Sequence, residues 1–207
     1  MKYVWINPVT DSMYDAHILN DYLHQHGYKR FHTSTDWLTV VKEKYRQVVG
    51  DSGHTVVDMR CPKIRGLLEE MDVASNVTMP DILPILIHCG QEAGEQREIQ
   101  GKQKIITTPC QALADMGNTL KIQNTCFVSW NRFVETIGSS PAVDVPKASP
   151  IPPGFFEDLG IKTDSVTGEK EIREYFKNGV PKDVQLVELL YCKEGCHNGD
   201  GIKGSNL

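Results

Sequence analysis

The chain has 207 residues, of which 40% are hydrophobic, 24% charged and 8% aromatic. That composition excludes a disordered, collagenous or coiled-coil protein and suits one large domain or two small ones. Twenty-two Lys and Arg against 27 Asp and Glu give a net charge of −5 with no basic stripe, which lends a nucleic-acid role no support. The longest apolar stretches, such as Ile82–His88, are too short to cross a bilayer. The start, Met-Lys-Tyr-Val-Trp-Ile-Asn-Pro, lacks the apolar core and cleavage site of a signal peptide. A cytoplasmic protein away from membranes is expected, and there six cysteines act as thiols or metal ligands rather than as disulfides.

Short β-rich runs alternate with helical periods. Tyr3–Ile6 reads as a strand, followed by a helix over Met13–His26 with Ile18, Leu19, Tyr22 and Leu23 on one face. Gly27 ends that helix. Arg30–His32 is a second strand, and Trp37, Leu38, Val41, Tyr45 and Val48 mark a second amphipathic helix. Thr55–Met59 is a strand, and Ile64, Leu67, Leu68 and Met71 repeat at helical spacing behind it. Leu83–His88 and Lys104–Thr108 read as buried strands, with the polar Gln91–Gln100 between them as a helix or loop. A helix over Gln111–Met116 follows. Thr125–Ser129 is a strand whose Ser129 caps a helix through Thr136.

Gly138–Gly154 holds five prolines and reads as a connection. Phe155–Leu159 makes one helical turn, Glu169–Asn178 a helix and Val184–Leu190 the last strand. This alternation predicts an α/β fold: two small parallel-sheet lobes with helices on both faces. The boundary falls at the Pro-rich stretch. Residues 1–137 then carry Cys61 and Cys110, and residues 138–207 carry Cys192 and Cys196, unless the whole is one compact domain.

Sites in such sheets gather at the carboxyl ends of strands. Cys61 follows Thr55–Met59, with Pro62 at the first position of the next helix. Cys110 follows Lys104–Thr108 and Pro109. Cys192 follows Val184–Leu190, and Cys196 lies four residues on, in a Gly-rich turn. Four sulfurs can thus converge on one sheet edge, with two helix N-termini favouring their negative charge. Four thiolates suit a [4Fe-4S] cluster or a tetrahedral Zn²⁺. Glycines near Cys196 would let backbone N–H groups reach inorganic sulfide.

The remaining candidates carry less. Cys126, inside an apolar strand, reads as a small core hydrophobe. Cys89, ending the run Ile87-His88-Cys89, is a buried thiol or a spare ligand. His197 is either a partly exposed loop residue or a hydrogen-bond partner for a cluster sulfur. His24 and His26 lie on a polar helical face with no partner in view. Trp130, Arg132 and Phe133 read as packing. His197-Asn198-Gly199-Asp200-Gly201 is not a phosphate loop, since no Lys-Ser/Thr follows. No nucleophile elbow is present.

The segment Glu188-Leu-Leu-Tyr-Cys192-Lys-Glu-Gly-Cys196-His-Asn-Gly-Asp-Gly201 resembles the last cluster motif of the [FeFe]-hydrogenase large subunit. That motif has a Glu four residues before the first Cys, then Pro-Gly-Gly, Cys and a Gly-rich tail. Thr108-Pro109-Cys110-Gln-Ala112 is similar to the family's Met-Pro-Cys-x-Ala-Lys, and Met59-Arg60-Cys61-Pro62 to its Thr-Ser-Cys-Cys-Pro-Gly-Trp. The order matches, and the resemblance spans roughly Thr55 to Gly201. It implies that Cys61, Cys110, Cys192 and Cys196 ligate a [4Fe-4S] cluster between two α/β lobes, with Cys196 as the bridge to a diiron unit.

The departures are specific. The family's proton-relay cysteine is Arg60 here, its diiron-pocket lysine falls at Leu113, and the Gly-rich tail is altered. The chain is also shorter than the family's catalytic domain and lacks its ferredoxin-like cysteine sets. The resemblance therefore implies an iron–sulfur protein for electron transfer or redox sensing, without the diiron subsite, served by a ferredoxin-like redox partner. Arg60 would raise the cluster potential by its fixed charge, and His197 would couple that potential to pH. The alternatives are a divergent or sensory [FeFe]-hydrogenase acting on protons and H2, and a structural or interaction domain with a zinc ion held by four cysteines.

Overall fold

The computed structural model describes residues 1–139 and 148–202. In chain order the first half runs β1 (Lys2–Trp5), α1 (Pro8–Asp11), α2 (Ala16–Gln25), β2 (Tyr28–Arg30), α3 (Trp37–Asp51), β3 (Val56–Val57), α4 (Pro62–Glu70) and α5 (Ile85–Glu95). The second half runs β4 (Lys104–Thr108), α6 (Gln111–Thr119), β5 (Thr125–Ser129), α7 (Trp130–Ile137), β6 (Thr163–Thr167), α8 (Glu169–Asn178) and β7 (Leu186–Leu190). The fold is α/β with two small sheets, and every strand pair is parallel. Among the described residues no helix is long and apolar enough to cross a membrane.

The chain divides into two compact units that interleave along the sequence. Unit 1 comprises residues 1–35, 86–151 and 196–207; unit 2 comprises residues 36–85 and 152–195. The division expected near residue 138 is continuous along the chain and differs from this one. One crossing, between Ile151 and Pro152, does fall in the Pro-rich stretch, of which residues 140–147 lie outside the described residues. The consequence for the cysteines is direct. Cys110 and Cys196 belong to unit 1, Cys61 and Cys192 to unit 2, and Cys192-x-x-x-Cys196 straddles a crossing.

Unit 1 holds the sheet β2-β1-β4-β5. Sheet growth reverses between β1 and β4, so the carboxyl end of β4 lies at a topological switch point, where open α/β sheets place ligands. Val4, Ile6, Leu19, Leu23, Trp130 and Phe133 build a core on this sheet. The expected helix over Met13–His26 is shorter, Ala16–Gln25, and the one-turn α1 at Pro8–Asp11 precedes it. Asn7 caps α1 through the Thr10 N–H at 3.0 Å, and Asp15 caps α2 through the His17 N–H at 2.8 Å. Ile18 is consequently 53% exposed while Leu19 is buried.

Leu83–His88, expected as a strand, is instead the entry to α5. A short apolar run fits a buried strand or a buried helix equally, and here Leu86, Ile87, Gly90 and Ala93 continue it at helical spacing. Gly90 and Gly117 let α5 and α6 close on Phe127, whose ring atoms lie 2.3 Å from where either Cβ would stand. The expected capping role of Ser129 is also corrected: it occupies the N-cap of α7, but its side chain makes no capping bond.

Unit 2 holds the sheet β3-β7-β6. Val57, Ile64, Leu68, Ile172, Val187 and Leu189 form one core cluster, and Val41, Tyr45, Val56, Phe156 and Leu186 another. β6 was not visible in the sequence, because Thr163-Asp-Ser-Val-Thr167 is a half-buried edge strand with one apolar residue. Leu38, expected on the buried face of α3, is 56% exposed.

Candidate metal centre

The cysteines of unit 2 lie at the carboxyl edge of neighbouring strands. β3 pairs with β7 at Val56↔Leu186 and Val57↔Val187, and the Asp58 N–H continues the ladder to the Val187 carbonyl at 2.9 Å. Three residues later Cys61 occupies the N-cap of α4, with Pro62 at its first turn. Burial pushes the Cys61 thiol pKa up, backbone hydrogen bonds from Tyr191 and Lys63 pull it down, and the charge of Cys192 raises it again. Cys192 opens a tight turn in which the Gly195 N–H donates to the Cys192 carbonyl at 3.2 Å. That turn needs φ of +62° at Glu194 and +121° at Gly195, a conformation that suits glycine.

In unit 1, Cys110 is the N-cap of α6, directly after β4, and its side chain does not cap the helix. Cys196 begins a short 3-10 turn, Cys196–Asn198, packed on the core that includes Trp130 and Ile202. The turn that follows is pressed onto the Pro109–Cys110 backbone. A Cβ on Gly199 would lie 2.3 Å from the Pro109 oxygen, and one on Gly201 would lie 2.9 Å from the Cys110 nitrogen.

The amides of this turn correct the expectation for its glycines. The Gly199 N–H donates to the Cys196 carbonyl and the Gly201 N–H to the Pro109 carbonyl, at 3.0 and 3.1 Å. They hold protein to protein and are not spare donors. The start of α6 is likewise taken, since the Gln111 N–H donates to an Asp200 carboxylate oxygen at 2.9 Å. Asn131 completes the joint: its backbone N–H donates to the Gly201 carbonyl and its side-chain amide to the Asp200 carbonyl. Gly199→Ala should therefore lower stability by about 1–3 kcal/mol. Gly66→Ala, on the open face of α4, should raise it by about 0.5–1 kcal/mol. Denaturant midpoints of the two variants check this, and an unaltered midpoint for Gly199→Ala would mean that the turn does not press on Pro109.

His197 is 7% exposed, not the partly exposed loop residue expected. Its Nε2 lies 3.1 Å from the side-chain nitrogen of Asn198. An amide nitrogen only donates, so Nε2 accepts and the ring proton sits on Nδ1. Nδ1 is buried with no hydrogen-bond partner among the described residues, an arrangement that costs about 1–3 kcal/mol unless an acceptor meets it.

Arg60 is not a lone charge beside Cys61. Its guanidinium makes a two-pronged bond to Asp58, with Nε to Oδ1 at 2.9 Å and Nη2 to Oδ2 at 2.7 Å, and Nη2 also meets Glu188 at 2.9 Å. The group stacks on Phe155 at 3.8 Å and Phe156 at 4.7 Å. Burial alone would lower its pKa; the attraction and hydrogen bonds of Asp58, then the attraction of Glu188, reverse that and raise it. Glu188 accepts further bonds from the Gly154 and Phe155 N–H groups and the Ser165 hydroxyl. Asp58 and Glu188 are essentially inaccessible to water. Sequence reasoning missed this network, though one signal was present: a carboxylate within an all-apolar strand, as in Val56-Val57-Asp58 or Leu186-Val187-Glu188-Leu189, requires a partner.

The other candidates resolve individually. Cys89 lies inside α5, not at a strand end, with the Thr33 hydroxyl 3.8 Å from its sulfur. Burial pushes its thiol up to about 11. Cys126 is exposed, since it sits on the outer face of the edge strand β5. Leu113 is buried on the apolar side of α6. His26 has partners after all, the Tyr22 carbonyl at 2.7 Å and the Ser139 hydroxyl at 3.3 Å. Trp130 and Phe133 pack in the core as expected, whereas Arg132 is exposed.

Among the described residues no three His, Cys, Asp or Glu side chains are grouped as a metal site. Each unit contributes two of the four sequence-predicted thiols. Compared with protein-family models and with curated proteins, the chain matches none.

Proposed function

We propose that the chain is an iron–sulfur protein that holds one [4Fe-4S] cluster through Cys61, Cys110, Cys192 and Cys196. It uses the cluster for electron transfer or redox sensing, without a diiron group. The observation that carries this reading is an arrangement repeated in each unit. One cysteine stands at the N-cap of a nine-residue helix that follows a strand, and the segment carrying the second packs near it. In unit 2 Cys61 packs against the same core cluster as Tyr191, the residue before Cys192. In unit 1 the Pro109–Cys110 backbone is packed against the turn that Cys196 opens.

The donor set fits the group. Four thiolates are the usual ligands of a cubane, which supplies one-electron exchange when bound. The Tyr191 and Lys63 N–H groups favour negative charge on Cys61, and the unpaired His197 Nδ1–H is a donor suited to a sulfur beside Cys196. Hydrogen turnover finds less support, because Arg60 is held by two carboxylates and Leu113 is an apolar core residue. The partner class implied is a ferredoxin-like redox protein in the cytoplasm.

Iron and acid-labile sulfide per chain, on protein matured and purified without oxygen, test the reading. About four of each are expected. About six irons with four sulfides would replace it with the hydrogenase reading, and bound zinc or no metal would overturn it.

A further inference from the structure

We propose that unit 2 pairs with a second copy of this chain through the outer edge of β6, the two Thr163–Thr167 strands lying antiparallel about a two-fold axis at Ser165. β6 carries no cysteine, and this inference does not rest on the cluster reading.

The other sheet edges are closed or short. Beyond β3, the Val57 N–H donates to the Thr78 carbonyl and the Thr78 N–H to the Thr55 carbonyl, both at 2.9 Å. On the outer side of β5, the Thr125 N–H donates to the Ile122 carbonyl at 3.1 Å. The Asn118 side chain then takes the place of a neighbouring strand at Phe127. Its Oδ1 accepts the Phe127 N–H at 2.9 Å and its Nδ2 donates to the Phe127 carbonyl at 2.8 Å. β2 is a three-residue strand that includes Lys29 and Arg30, a length and a charge that discourage strand addition.

β6 lacks these devices. Its register with β7 runs from Thr163↔Leu186 to Thr167↔Leu190. The Leu186 N–H donates to the Lys162 carbonyl at 3.2 Å and the Gly168 N–H to the Leu190 carbonyl at 2.9 Å. The backbone groups of residues 162, 164, 166 and 168 therefore face β7, and those of Thr163, Ser165 and Thr167 face away from the sheet. Among the described residues no backbone hydrogen bond reaches these outward groups. The strand contains no proline, and its one charged residue, Asp164, accepts the Tyr175 hydroxyl at 2.7 Å. Thr163, Val166 and Thr167 are β-branched and favour extended backbone.

Self-complementarity selects the occupant. With the axis at Ser165, Thr163 stands opposite Thr167 of the second copy, Ser165 opposite its own equivalent and Asp164 opposite Val166. Hydrogen-bonded pairs recur at every second residue of an antiparallel ladder, as the outward groups of β6 do, and each pair exchanges two N–H···O bonds. Thr and Ser are favourable cross-strand partners for one another, and no like charges stand directly opposite. A slip of one residue would set outward groups against groups already bonded to β7. The contact is isologous and closes at two copies, because each β6 has one open side.

Sedimentation of the full chain over a concentration series, with amide hydrogen exchange read by NMR at both ends of the series, tests the proposal. A shift from monomer to dimer between about 1 and 100 μM is expected. The Thr163, Ser165 and Thr167 amides should exchange at least about tenfold more slowly in the dimer than in the monomer. Thr163→Pro removes an outward N–H at the first residue of an edge strand, where proline leaves the β7 ladder intact, and should raise the dissociation constant by about tenfold or more. A chain that stays monomeric throughout overturns the proposal. So does a dimer whose β6 amides exchange as fast as the monomer's, or one that Thr163→Pro leaves unweakened. Should Thr163→Pro fail to fold, the wild-type amides decide alone. Iron content and dimerisation are read separately, so either reading can fail without the other.

Discussion

Arg60→Ala will destabilise the protein by about 3–5 kcal/mol, seen as a lower denaturant midpoint with an unchanged slope. The reason is the two carboxylates left behind. Asp58 and Glu188 are buried, and the guanidinium is the cation that meets both. Glu188 keeps the N–H groups of Gly154 and Phe155 and the Ser165 hydroxyl, so its loss is partial. Asp58 loses the two-pronged bond and keeps the Arg60 backbone N–H. The stacking on Phe155 and Phe156 goes as well. Arg60→Lys should lose less than Arg60→Ala, because it retains a charge but not the planar fork. A change of less than about 1 kcal/mol for Arg60→Ala would mean that the triad does not hold unit 2 together.

The same network alters how Arg60 bears on redox chemistry. Read from sequence, Arg60 is a fixed positive charge beside a ligand. In the fold two carboxylates face it, so the triad is formally negative and does not present an isolated cation to Cys61. Neighbouring letters could not reveal this: Glu188 lies 128 residues away and arrives only through the pairing of β3 with β7.

Other parts of the fold were legible where local physics decides. The periodicity of α8 gave its bounds unaltered, and β4 and β5 were read in full. The reading failed where one pattern serves two structures. Leu83–His88 alternates too little to separate strand from helix, and only the buried Gly90 and Ala93 beyond it disclose α5. β6 failed for the opposite reason: an edge strand half open to water keeps few apolar residues. Cys126 shows the same effect, since apolar neighbours do not reveal which face of an edge strand is covered.

Of the candidate site, the strand-end placement of Cys61 and Cys110 was legible, because Pro62 and the apolar strands before them are local signals. The assignment of the cysteines to units was not. Cys61 and Cys110 look like neighbours along the chain, as do Cys192 and Cys196, yet Cys61 shares a unit and a core cluster with the segment before Cys192, and the Pro109–Cys110 backbone packs on the turn after Cys196. The buried Nδ1 of His197 and the seat of Gly199 on Pro109 are also products of tertiary packing.

The cluster assignment makes the largest expectation for a single atom. Changing any one of Cys61, Cys110, Cys192 or Cys196 to serine replaces a soft thiolate by a hydroxyl that is a poor ligand for a cubane. The measurement that tests this most directly is iron per chain across all six Cys→Ser variants, made and purified alike without oxygen. Four of them, at positions 61, 110, 192 and 196, should lose most of the iron that the wild type carries. Cys89→Ser and Cys126→Ser should retain it, since one thiol is buried inside α5 and the other is exposed on the outer face of β5. Equal iron in all six variants, or loss confined to Cys89→Ser or Cys126→Ser, would contradict the assignment.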